Sequence, residues 1–267
     1  MRAAFALLAV WCFGTAWAES GGSRFAPTYS AASIVNSASN QPGSLAPNTI
    51  ATLYGSELAF ITRAIRPDDI RNNLLPTVLA GSGVQVMINR TLLANIYFVS
   101  PTQVNLLIPA SIDPGPGFLQ LILDGRAGPE IPIRMEAAAP ALYLQAPNLA
   151  VATRADGSLI EPARPARPEE WVVLYCTGLG ETSPRVRYLE VPRSPATLLH
   201  MDQFRVLVNG LALPRENIAY AGLTPGFAGL YQVNLRLPAG TSPHPEIRLA
   251  ASGATSPAGV LLPFLPE

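Results

Sequence analysis

Residues 219–240 read AYAGLTPGFAGLYQVNLRLPAG, and this stretch decides the fold. Tyr231, Val233, Leu235 and Leu237 alternate with Gln232, Asn234 and Arg236. Alternation with a period of two predicts a strand with one buried and one wetted face. A glycine- and proline-broken loop leads into it, and Pro238, Ala239 and Gly240 end it. A shorter version of the same text stands earlier, at residues 96–111: IYFVSPTQVNLLIPAS. There Gln103, Val104 and Asn105 take the places of Gln232, Val233 and Asn234.

Further echoes occur in the same order. Leu53-Tyr54-Gly55 with Leu58 matches Leu174-Tyr175-Cys176 with Leu179, and Ile88-Asn89 matches Val208-Asn209. The spacing between copies is nearly constant for these pairs and grows only between Asn209 and Gln232. An insertion in a surface loop would sit there. Each copy contains roughly six or seven short strands separated by turn residues, the spacing of an immunoglobulin-like sandwich. Asp113-Pro114-Gly115-Pro116-Gly117 and Asp124-Gly125 are such turns. The fold expected is therefore all-β, two tandem immunoglobulin-like β-sandwiches at residues 33–146 and 147–267.

The first 18 residues have the pattern of a secretory signal: Arg2, an apolar run, and Ala16-Trp17-Ala18 as an A-x-A cleavage site. The apolar run is shorter than the roughly 20 residues of a spanning helix, and no later stretch reaches that length. Residues 19–32 are small, polar and aperiodic, and are expected to be a linker. With Cys12 inside the signal, Cys176 is the single remaining thiol, so no internal disulfide is expected. The chain of 267 residues is 49 % hydrophobic and 13 % charged, with no net charge. Without a basic run, nothing in it predicts a nucleic-acid partner.

The ordered motifs Ile34-Val35-Asn36, Leu45-Ala46-Pro47, Tyr54-Gly55-x-x-Leu58, Leu75-Pro76-Thr77 and Val99-Ser100-Pro101-x-Gln103-Val104-Asn105 resemble the Solibacter-type uncharacterised C-terminal module. The second half continues the match with Leu174-Tyr175-x-Thr177-Gly178-Leu179-Gly180, Tyr220-Ala221-Gly222-Leu223 and Gly229-Leu230-Tyr231-Gln232-Val233-Asn234. Each half is also similar to an IPT/TIG domain. The resemblance implies a non-catalytic module of exported bacterial proteins whose role is not known.

The residues themselves offer little catalytic chemistry. Only His200 and His244 are available as histidine bases, both in proline-rich loops, and Gly81-Ser82-Gly83 lacks the frame of a nucleophile elbow. Cys176 lies in a strand and is expected to be a packed, inert thiol. No Cys or His cluster has zinc spacing and no Asp-rich loop has calcium-hand periodicity, so neither metal nor cofactor is expected. Gln103, Asn105, Gln232 and Asn234 are expected to be structural, bonding to neighbouring loop backbone. The inserted loop is the candidate contact, with Tyr220, Leu223, Thr224 and Phe227 as its residues and Phe227 exposed. The expected function is a secreted binding or structural module with a protein or glycan partner outside the cell. Carbohydrate or cell-surface binding is the alternative, and a small hydrolase a third possibility.

Overall fold

The computed structural model describes residues 26–266. The expected signal at 1–18 and the first part of the expected linker lie outside them. The described residues form strands and three single-turn 3-10 segments, with no α-helix among them. They build two tandem immunoglobulin-like sandwiches.

The larger sheet of the first copy runs in the order Gln41–Pro42, Ile34–Asn36, Ile50–Tyr54, Gln103–Leu107, Asn95–Val99, Arg63–Ala64. Its smaller partner is built on Gly115–Leu123, with Val84–Ile88 on one side and Arg126–Ala127 and Ile131–Met135 on the other. Because side chains alternate across a strand, Leu53, Val104 and Leu106 of one sheet meet Val86, Ile88, Leu119 and Leu121 of the other, all fully buried. In the second copy Trp171–Thr177 is central. It is flanked by Tyr231–Arg236, Ile218–Leu223 and Ala196–Leu198 on one side, and by Ala141–Leu142 and Ala152–Thr153 on the other. Arg205–Val208 and Ile247–Ala251 form the middle of the facing sheet.

The sequence repeat persists down to strand register. Leu53 stands opposite Val104 just as Leu174 stands opposite Val233. Phe98 stands opposite Asn105 as Tyr220 does opposite Asn234, and in both copies the register slips one residue earlier, at Tyr97 and at Ala219. Asn89 and Asn209 both take left-handed backbone at a hairpin turn. Each side-chain oxygen then accepts the backbone N–H of the neighbouring strand, from Phe118 and Glu246, at 2.9 Å.

Two expected boundaries move. Thr28 exchanges backbone hydrogen bonds with Ser56, and the Tyr29 ring is buried in the first core. The Tyr29 hydroxyl donates to the Pro129 carbonyl at 2.7 Å and accepts from the Leu121 N–H at 2.6 Å. The end of the presumed linker is thus part of the first sandwich, because one aromatic ring anchors an otherwise polar segment. At the other boundary, Ala141 and Leu142 pair with Thr177 and Cys176, and Ala138 and Leu142 belong to the second core. Pairing and core packing together therefore place residues from Ala138 onward with the second copy, ahead of the division expected at 146/147.

Candidate functional site

The outer face of the first copy's larger sheet is where the copies meet. Three cross-strand pairs form rungs along it: Ile50 with Leu107, Thr52 with Asn105, and Tyr54 with Gln103. The first rung is apolar. Ile50 and Leu107, with Tyr97, pack on Leu75 and on Val191 and Ala228 from the second copy. Hydrogen bonds fix this contact. The Tyr97 hydroxyl donates to the Ala228 carbonyl at 2.7 Å. Thr177 Oγ1 accepts from the Ile50 N–H at 3.0 Å and donates to the Gly229 carbonyl at 2.7 Å. Asn48 donates to the Tyr231 hydroxyl at 3.3 Å, which in turn donates to the Gly180 carbonyl at 2.5 Å. Gly229 is required here: its φ is 73°, and a Cβ would stand 2.4 Å from Leu107 Cδ1 and 2.8 Å from Ile50 Cγ1.

This seam takes in most of the expected ligand loop. Leu223 and Thr224 are buried, Phe227 is half-buried, and Ala228 is enclosed between the copies. The Tyr220 hydroxyl donates to the Leu223 carbonyl at 2.7 Å and accepts from the Ala196 N–H at 3.2 Å, bracing the loop internally. The insertion closes the joint, and its exposed portion is limited to Pro225 and Gly226.

Past the apolar rung, the same sheet face opens into a groove of about 250 Å³. Thr52, Tyr54, Gln103 and Asn105 form its floor, the turn from Ser37 to Gln41 forms one wall, and Tyr143, Leu144 and Pro147 form another. No charged side chain lines it among the described residues. Asn105 Oδ1 accepts from Thr52 Oγ1 at 3.1 Å and from Gln103 Nε2 at 2.9 Å, which fills both of its lone pairs. The Asn105 amide N–H groups, Gln103 Oε1 and the Tyr54 hydroxyl have no protein partner among the described residues. Ser37 Oγ lies 2.9 Å from the Tyr143 hydroxyl and fixes that ring at the wall. Burial raises the pKa of both Tyr54 and Tyr143 above the ordinary phenol value, so both remain neutral hydrogen-bonding groups.

The expectation for the amides therefore needs amending. Gln103 and Asn105 bond to each other, as Gln232 and Asn234 do at 3.0 Å, rather than to loop backbone. In the first copy that pairing also presents a free donor and acceptor to the groove. Tyr54, Thr52 and Tyr143 were not singled out by the sequence. The available signal was Tyr54 itself, repeated as Tyr175 in the matched Leu-Tyr element.

The remaining candidates lie elsewhere. Cys176 is buried in the second core with Sγ 3.7 Å from the Tyr231 carbonyl, and burial pushes its thiol pKa up, the reverse of nucleophile activation. His200 and His244 are both exposed. Among the described residues, no three His, Cys, Asp or Glu side chains converge as metal ligands, and no helix is long and apolar enough to cross a membrane.

No protein-family model matches the chain, and no curated protein matches it. Among solved structures, it is similar to the surface glycan-binding protein PbSGBP-B of Prevotella bryantii, at 11 % identity over 87 % of this chain and 41 % of that one, with a TM-score of 0.27. It is also similar to the Bacteroides ovatus mixed-linkage glucan utilization locus SGBP-B, solved with a mixed-linkage heptasaccharide. That likeness is 11 % identical over 84 % of this chain and 43 % of that one, with a TM-score of 0.34. Domains 5–6 of the S-layer protein SbsC are 8 % identical over 90 % of this chain and 99 % of theirs, with a TM-score of 0.30. The chain thus spans less than half the length of the two glycan-binding proteins.

Proposed function

We propose that this chain is an exported, non-catalytic binding module that takes an uncharged, hydroxyl-rich glycan in the seam groove. The observation that carries this reading is the lining of the groove: two tyrosine rings, the free atoms of an amide pair, and no charge. A sugar ring presents an apolar C–H face and a rim of hydroxyls. A tyrosine ring can cover the first, and an amide donor and acceptor can satisfy the second. An anionic ligand would find no counter-charge there and would lose hydration without repayment. Export rests on the signal pattern of the first 18 residues, and membership of the Solibacter-type class on the ordered motifs.

Titration calorimetry against a panel of neutral and acidic polysaccharides tests the reading. Binding is expected for at least one neutral polymer, and Tyr54→Ala should weaken it by about tenfold or more, a loss of roughly 1.4 kcal/mol. Undiminished binding in Tyr54→Ala, or binding confined to acidic polymers, would sink it.

A further inference from the structure

We infer that the ligand is an extended glycan chain that crosses the seam through two adjoining hollows, not a single sugar or a chain end. The inference rests on the glycan reading of the seam groove. That groove, at about 250 Å³, lies just below the roughly 300–1,000 Å³ of sites that bury a whole small ligand. It accommodates part of a ligand, and the remainder must lie against neighbouring surface.

A second hollow, of about 510 Å³, adjoins it, and Ser39 and Gln41 line both. The ridge between them is well fixed. Asn36 pairs with Gln41 across the turn, the Asn40 N–H bonds to the Asn36 carbonyl at 2.8 Å, and Asn36 Nδ2 donates to the Ala139 carbonyl at 3.0 Å. The second hollow is again built from both copies, with Ser44 contributed by the first and Ser252 and Thr255 by the second. Its chemistry complements that of the seam groove: it has no aromatic ring, and the hydroxyls of Ser39, Ser44, Ser252 and Thr255 stand among alanines, glycines and prolines. Its one carboxylate, Glu136, is already bonded to Arg134. A rigid ridge between them suits a chain of linked neutral rings, one part covered by the tyrosines of the seam groove and another bonded by the hydroxyls of the second hollow.

The test is the dependence of affinity on chain length. Neutral gluco-, xylo-, manno- and galacto-oligosaccharide ladders of about two to six sugars are titrated into the full chain, a span that exceeds one hollow of this size. For the series that binds, affinity should rise about tenfold or more from the shortest to the longest member. Thr255→Met, at an exposed position lining only the second hollow, should remove most of that gain and leave the shortest ligand's affinity unchanged. Gln41→Ala, on the shared ridge, should weaken the longest ligand as well. A flat length dependence, or a Thr255→Met protein that keeps the full gain, overturns the crossing while the seam-groove reading stands. If no ladder binds at any length, the seam-groove reading falls with it.

Discussion

The two copies place the same three rungs on the outer face of the same sheet and use them differently. In the first they are Ile50/Leu107, Thr52/Asn105 and Tyr54/Gln103; in the second they are Trp171/Arg236, Val173/Asn234 and Tyr175/Gln232. The strand text and the hydrogen-bonded Gln–Asn pair are shared, while the residues that decide exposure differ. Ile50 and Leu107 are buried beneath the other copy. Trp171 is 41 % exposed, with the Arg236 guanidinium 5.3 Å above its ring and held by Asn217 and Glu169. The bulged position follows suit: Tyr97 is buried in the seam and Ala219 is exposed. The two copies offer equivalent faces, and a few side chains make one an interface with a groove beside it and leave the other partly exposed.

Substitution at equivalent rungs should reveal this asymmetry in urea unfolding. Leu107→Ala opens a cavity in the seam and should cost about 2–5 kcal/mol. Arg236→Ala removes a partly exposed stacking and ion-pair contact and the hydrogen bond to buried Asn217, and should cost no more than about 2 kcal/mol. Equal losses would show that the seam contributes nothing beyond an ordinary sheet face. Next in size, Tyr97→Phe leaves the Ala228 carbonyl without its donor in a buried place and should cost about 1–3 kcal/mol. Ala219→Ser, at the matching bulge, should be nearly neutral by the same measurement.

Alkali should act on the seam and on the second core. Burial holds the phenols of Tyr97, Tyr143 and Tyr231 and the Cys176 thiol above their ordinary pKa values. In the unfolded chain they ionise near about 10 and 8.5. The folded state retains protons that the unfolded state releases, so this stability is complete below about pH 8 and falls as pH rises. The slope is about 1.4 kcal/mol per pH unit for each group whose unfolded pKa has been passed. Tyr97→Phe should flatten the fall above about pH 10; an unchanged slope would remove Tyr97 from the account. The smallest effect is expected from Thr52→Val, which gives the first copy the second copy's middle rung. Stability should change by less than about 1 kcal/mol, since one partly buried hydrogen bond is lost. Glycan affinity should drop as Asn105 loses one of the bonds that orient it, and unaltered affinity would count against the amide's role.

Strand positions were legible because alternation is a local property, and the repeat because Leu-Tyr, Ile/Val-Asn and Gln-Val-Asn recur in order. The insertion was located correctly between Asn209 and Gln232, but its role was not readable. Glycine, alanine and proline give residues 224–229 the composition of a surface turn. Here small residues serve close approach, as the space around Gly229 shows, and only the opposing Ile50 and Leu107 reveal it. Tyr29 was hidden for the opposite reason: a single ring among serines and alanines has no period to betray it. The groove was half legible. Gln103 and Asn105 stood out by repetition, whereas Tyr143 joins them from distant sequence through packing that no local pattern encodes.

The Thr177 hydroxyl, bonded at once to Ile50 of the first copy and Gly229 of the second, carries a consequence for how the molecule comes apart. A tandem joined by an exposed tether melts as two beads, each with its own midpoint. With loop, tyrosine and threonine stitched across the joint, losing either sandwich strips the other of its cover, so heating should yield one cooperative transition.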